Sequence, residues 1–129
     1  MQGRRLARDW FGVSVWTVVL LVASLLPFPF GRHPGWGWFA PDKLLHLIGH
    51  AVHAAMLVRR LENGPWTDES AALLAVCLST GHGLATGWLQ QRIPGRASEP
   101  ADVLAGLLGA VLAVTGWYHR RRSRPDPVP

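Results

Sequence analysis

The sequence predicts an all-α protein, a four-transmembrane-helix bundle with both termini cytoplasmic. Three observations carry that expectation. Of 129 residues, 49% are apolar and only 16% are charged, against roughly a quarter in ordinary soluble domains. The charges are also segregated: residues 10–31, 44–58, 70–91 and 103–119 contain no Asp, Glu, Lys or Arg. With four spans assumed, nine basic residues (Arg4, Arg5, Arg8, Arg59, Arg60, Arg120, Arg121, Arg122 and Arg124) share one side. Four (Arg32, Lys43, Arg92 and Arg96) share the other. The basic-rich side is the cytoplasmic one.

The same composition excludes other classes. A lone Cys77 rules out an intramolecular disulfide framework and any multi-cysteine metal centre. The low charge rules out a charge-driven disordered chain. A soluble bundle of buried helices would need polar faces at helical spacing, which Val18-Val19-Leu20-Leu21-Val22 followed by Leu25-Leu26 does not offer. A cleaved signal peptide, with Arg4, Arg5 and Arg8 as its basic head, is opposed by an apolar run that reaches Phe30 and by the spans that follow.

Span one is expected over residues 10–30, disrupted at its outer end by Pro27 and Pro29. Residues 31–41 read as a Gly/Pro/Trp outer loop. Span two runs from Asp42 to Arg59-Arg60 and reaches spanning length only if its charged ends sit at the interface. Asn63-Gly64-Pro65 marks a cytoplasmic turn. Span three covers about residues 70–90, the outer loop 91–101 contains Pro94-Gly95, and span four begins at 100–102, where Pro suits a first helical turn. Residues 1–119 form the expected membrane domain and residues 120–129 a basic, Pro-rich cytoplasmic tail. Trp10, Trp66, Trp117 and Tyr118 fall near inner boundaries, and Trp36, Trp38 and Trp88 near outer ones, as interfacial aromatics should. Only Trp16 falls inside a span. Beside a span, the basic residues 119–124 are a topology anchor for anionic lipid, so the positive charge calls for no nucleic-acid partner.

Polar residues gather where the topology has an outer face: Asp42, Lys43 and His46; Gln90, Arg92 and Arg96; Glu99 and Asp102. Singly, Asp42 reads as an N-cap of span two and Asp102 as a dipole complement in span four. Lys43 reads as a snorkelling cation and Arg96 as a solvated loop charge. Together they form a candidate ligand-binding set, Asp42, Lys43, His46, Gln90, Arg96 and Asp102. Spans two and four both begin here, and a helix N-terminus favours anions. Arg offers a bidentate fork to phosphate or carboxylate. His46, His50 and His53 share one helix face at i, i+4 and i+7. His82, eight residues before Gln90, lies about 12 Å below it. These four are candidates for a histidine metal site, set against the plainer reading that they line the interior and hydrogen-bond to neighbours. No metal and no cofactor is expected. The glycines 81, 83, 87, 106 and 109 allow close helix approach.

At these residues the chain resembles the VanZ-like family of small bacterial membrane proteins. The family pattern has Asp-Lys-x-x-His, matched by Asp42-Lys43-Leu44-Leu45-His46. A Gln follows, then six residues to an Arg and six more to an Asp, matched by Gln90, Arg96 and Asp102; its later Gly is Gly109. The family's Glu three before the Gln falls on Gly87, its Asn four after the Asp on Gly106, and its common Tyr four after the His on His50. The resemblance implies a multi-pass protein of the cell inner (cytoplasmic) membrane, with a named member tied to low-level glycopeptide (teicoplanin) antibiotic resistance. The expected function is binding or remodelling of an anionic cell-envelope component, a lipid-linked phosphate or cell-wall precursor. Arg96 and Lys43 would grip it and Asp42 and Asp102 would position them. The alternatives are a membrane enzyme on a lipid head group, with His46 as acid/base and Asp42 and Asp102 as further catalytic candidates, and a non-catalytic membrane scaffold. Membrane lipids are the expected partners, and association into a homo-oligomer stays open.

Overall fold

The computed structural model describes the backbone of residues 2–26 and 40–125 and, within those ranges, side chains from Trp10 onward. The described residues form four helices and no strand: α1 (Gln2–Leu25), α2 (Pro41–Leu61), α3 (Asp68–Gln90) and α4 (Pro100–Arg122). Pro27 and Pro29 of the expected span one, Arg32, Trp36 and Trp38 of the expected loop, the side chains of Arg4, Arg5 and Arg8, and residues 126–129 lie outside the described residues.

Local chemistry sets the helix ends. α1 begins well before residue 10 and stops at Leu25, not at residue 30. Leu26 precedes Pro27, whose ring crowds the α conformation of the residue before it. α2 and α4 each carry Pro in the first turn, where the missing N–H costs nothing. The N-cap of α2 is Ala40, not Asp42, which sits inside the first turn and complements the dipole there. α3 starts ahead of residue 70 because Thr67 caps it, its Oγ1 accepting from the Ser70 amide at 3.2 Å. Between α3 and α4 the chain reverses at Gly95, whose φ of +80° is the left-handed region that glycine enters without penalty. α4 runs past residue 119 to Arg122, so the start of the expected tail is helical.

Consecutive helices run antiparallel. The Trp16 indole N–H donates to the Gly49 carbonyl at 3.1 Å, and Arg60 lies over the Trp10 ring at 5.4 Å. That hydrogen bond gives the mid-helix tryptophan a partner for its indole N–H. α2 and α4 are parallel and make the most extensive contact in the molecule. Glycine permits it: a Cβ at Gly109 would fall on the backbone carbonyl of Leu47. Without that close approach the two helices would separate by the width of a side chain.

One half of the interior is an apolar cluster of Val13, Ala54, Leu57, Val58, Ala71, Ala75, Ala110, Val114 and Trp117. The other half is polar, with Ser24, His50, His53, Ser79, Thr86, Gln90 and Asp102 all buried. Large apolar side chains point outward instead: Phe11 is 69% exposed, Leu73 67% and Leu112 58%. Among the described residues, α3 and α4 are long and apolar enough to cross a membrane. α1 contributes a shorter apolar stretch, Trp10–Leu25. α2 has the length, but three histidines and charged ends lower its hydropathy.

Candidate functional site

The polar half of the bundle ends where α2 and α4 begin and α3 finishes. Lys43, in the first turn of α2, points at the start of α4. Its Nζ donates to Glu99 Oε2 at 3.0 Å and lies 3.7 Å from Asp42 Oδ2 and 3.9 Å from Asp102 Oδ1. One turn further along α2, His46 Nε2 lies 4.0 Å from Asp102 Oδ2. Asp102 is buried, and its Oδ1 has no hydrogen-bond partner, only the ion-pair proximity of Lys43. Three carboxylates thus surround one ammonium in a largely enclosed place. Such a cluster holds only if the charges stay mutually compensated.

A second group forms at the end of α1. The Ser24 carbonyl lies near the last turn, where helix carbonyls lack intrahelical partners. It accepts from Gln90 Nε2 at 2.6 Å and from the Arg96 guanidinium. Gln90 is buried; Arg96 is half-buried, and its Nε is enclosed without a hydrogen-bond partner. Arg96 is also within electrostatic reach of His46. Arg92, grouped with these two by sequence, lies elsewhere, stacked over the Trp88 ring at 3.4 Å. Of the six candidate ligand-binding residues, Asp42, Lys43, His46 and Asp102 therefore meet directly. Gln90 and Arg96 meet at a neighbouring carbonyl.

Below this end the histidines run inward as a line of rings. His46 stacks on His50 with centroids 6.2 Å apart and planes 8° from parallel. His82 of α3 lies 5.8 Å from His50 and 5.3 Å from His53. Both readings of these residues find geometry here. They line the interior and hydrogen-bond to neighbours: His50 to Ser79, His53 to the Thr17 hydroxyl, and His82 to the Thr17 carbonyl. They also converge, since His50, His53 and His82 each place a ring nitrogen within 4.8 Å of the others.

Sequence reasoning did not anticipate Glu99 as the closest partner of Lys43, nor Ser24, Thr17 and Ser79 as partners of the interior polar groups. Serine and threonine inside the charge-free windows were the available signal. The positions that depart from the VanZ-like pattern also have a spatial logic. A Cβ at Gly106 would come 2.8 Å from His50 Cδ2, so an imidazole at 50 and a side chain at 106 exclude each other. A Cβ at Gly87 would meet Ser98 Oγ at 2.8 Å. No family model matches this sequence, and no curated protein or solved structure matches it.

Proposed function

We propose that the chain is a VanZ-like multi-pass protein of the bacterial inner membrane whose four helices cross the bilayer with both termini cytoplasmic. In this reading it binds or remodels an anionic cell-envelope component at its outer face. The membrane reading rests on the inside-out distribution of side chains. Histidine, serine, threonine and glutamine are buried, while many leucines and valines and Phe11 face outward. In water such a surface would aggregate; in lipid the outward apolar residues cost nothing, and small residues drive helix contact. Ionisable residues inside membrane bundles mark ligand or ion sites.

The observation that carries the site is the convergence of Lys43 and His46 with Asp102, across more than fifty residues of sequence. Lys43 is held by Glu99 and serves as the strap between α2 and α4. Arg96 is the ligand's cation: one nitrogen is anchored at Ser24 while the rest of the fork offers donors to a phosphate or carboxylate. α2 and α4 both start at this end with no side-chain cap, so their positive dipole ends add to the attraction.

Purified protein in neutral detergent should bind a polyprenyl phosphate and not the matching polyprenol. Arg96→Lys should weaken that binding about tenfold at unchanged membrane abundance, because the ammonium keeps the charge and loses the fork. Equal binding of phosphate and alcohol contradicts the reading, as does abundance falling in step with binding. A second reading, an enzyme acting on a lipid head group, is favoured by the His46–Asp102 pair, a carboxylate set to orient an imidazole. It requires turnover by the purified protein that disappears in His46→Gln.

A further inference from the structure

The inner histidines carry an assignment that the anion site does not use. Neutral imidazole has one N–H and one lone pair, and the surroundings fix which nitrogen is which. The Thr17 hydroxyl donates to the Val13 carbonyl at 2.8 Å, so its oxygen accepts from His53 Nε2 at 3.0 Å. The Ser79 hydroxyl is directed at the His50 carbonyl, 3.4 Å away, so it accepts from His50 Nδ1 at 3.0 Å. His82 Nε2 faces the Thr17 carbonyl at 3.1 Å, which only accepts. Each ring therefore gives its proton outward. The lone pairs fall on His50 Nε2, His53 Nδ1 and His82 Nδ1. The last two are buried and have no hydrogen-bond partner, an arrangement that costs free energy in a bundle interior unless something accepts those lone pairs.

We infer that His50, His53 and His82 bind one divalent transition-metal ion of the zinc class, through His50 Nε2, His53 Nδ1 and His82 Nδ1. Three imidazoles without a thiolate favour Zn²⁺, Co²⁺, Ni²⁺ or Cu²⁺ over Mg²⁺ or Ca²⁺. Tetrahedral coordination at 2.0–2.1 Å sets the ligand nitrogens about 3.3 Å apart. The three rings each bring a nitrogen within 4.8 Å of the others, so binding requires the rings to draw inward. Thr17 and Ser79 take the outer N–H of their rings, which orients a metal-binding histidine and raises its basicity. Gly83 and Gly106 flank the His50 ring, where a Cβ would approach its atoms to 3.3 and 2.8 Å, so the two glycines hold open the space the ring occupies. The carboxylates of Asp42, Glu99 and Asp102 lie beyond His46 and offset a buried cation's charge. Three protein ligands leave a fourth coordination position for water or an exogenous ligand.

The test uses full-length protein purified in detergent, stripped with chelator and dialysed against Zn²⁺ or Co²⁺. One ion per chain is expected, with Co²⁺ giving the visible absorption of a tetrahedral nitrogen site and excess Mg²⁺ not competing. His53→Gln and His82→Gln should each lower affinity at least a hundredfold, while His119→Gln, in the exposed last turn of α4, should leave it unchanged. Thr17→Val keeps the carbonyl and removes the hydroxyl partner of His53, and should weaken binding roughly tenfold to a hundredfold even if the histidine variants fail to fold. Absence of stoichiometric metal, or metal retained in both histidine variants, overturns the inference. An unchanged affinity in Thr17→Val overturns the assignment of the ligating nitrogens. This site stands or falls independently of Arg96 and the anion reading.

Discussion

The two ends of the bundle use the same residue types to opposite effect. At the end where α4 finishes, Arg121 lies between Glu62 and Asp68 at 2.9 Å from each. Arg122 pairs with Glu69 at 3.2 Å, and Trp117 and Tyr118 donate to Glu62 and Glu69. The acids there are each paired with an arginine and reach solvent, and the helix starting there, α3, is capped by Thr67. At the other end one lysine faces three carboxylates, Asp102 Oδ1 is enclosed without a hydrogen-bond partner, and both helices that start there lack side-chain caps. A wet cluster whose acids are all paired ties helices together. An enclosed, incompletely satisfied one is where a ligand gains most.

That contrast orders the effects of mutation. The largest should come from neither end but from the seam both depend on. Gly109→Val would force a side chain into the Leu47 backbone and should abolish folded protein, whereas Gly81→Val, with open space at its Cβ, should leave the melting temperature unchanged. Next is Lys43→Met, which leaves three carboxylates facing one another. Breaking an enclosed ion pair costs about 3–5 kcal/mol, and the partial exposure of Asp42 and Glu99 brings this one to about 2–3 kcal/mol, read by denaturant titration in detergent. Thr67→Ala should cost about 1 kcal/mol through the lost cap. The smallest effect belongs to Arg122→Ala. Its side chain is 66% exposed, and such a pair should leave no measurable change in melting temperature at physiological salt. If Arg122→Ala proves as damaging as Lys43→Met, the distinction between the two ends collapses.

Much of this architecture was readable beforehand. The charge-free windows located all four helices to within a few residues at most ends, because length and turn chemistry fix them locally. At α1 the apolar stretch begins at Trp10 as expected, but the helix itself starts earlier and stops at Leu25. The helix order put Gln90, Arg96 and Asp102 at one end of the molecule, and the i, i+4, i+7 spacing put His46, His50 and His53 on one face. What stayed hidden has a common physical cause. The anchor of Gln90 and Arg96 is a backbone carbonyl, Ser24, which any residue would carry. Thr17 and Ser79 are hydroxyls within apolar stretches, and only the crossing of α1, α2 and α3 reveals what they hold. The pairing of Arg121 and Arg122 with Glu62, Asp68 and Glu69 was likewise invisible, since the basic run was read as an anchor to lipid. Side-chain pairs across helices depend on rotation about each helix axis, which periodicity constrains only loosely.

The most direct test is sided labelling of intact cells with a membrane-impermeant maleimide, in protein whose single cysteine is removed by Cys77→Ser. Ala97→Cys, in the exposed connection between α3 and α4, and Pro65→Cys, in the exposed turn between α2 and α3, mark the two ends of the bundle. The account predicts labelling at 97 from outside and at 65 only after the membrane is opened. Labelling of both positions from the same side, or recovery of the protein in the soluble fraction, would contradict it.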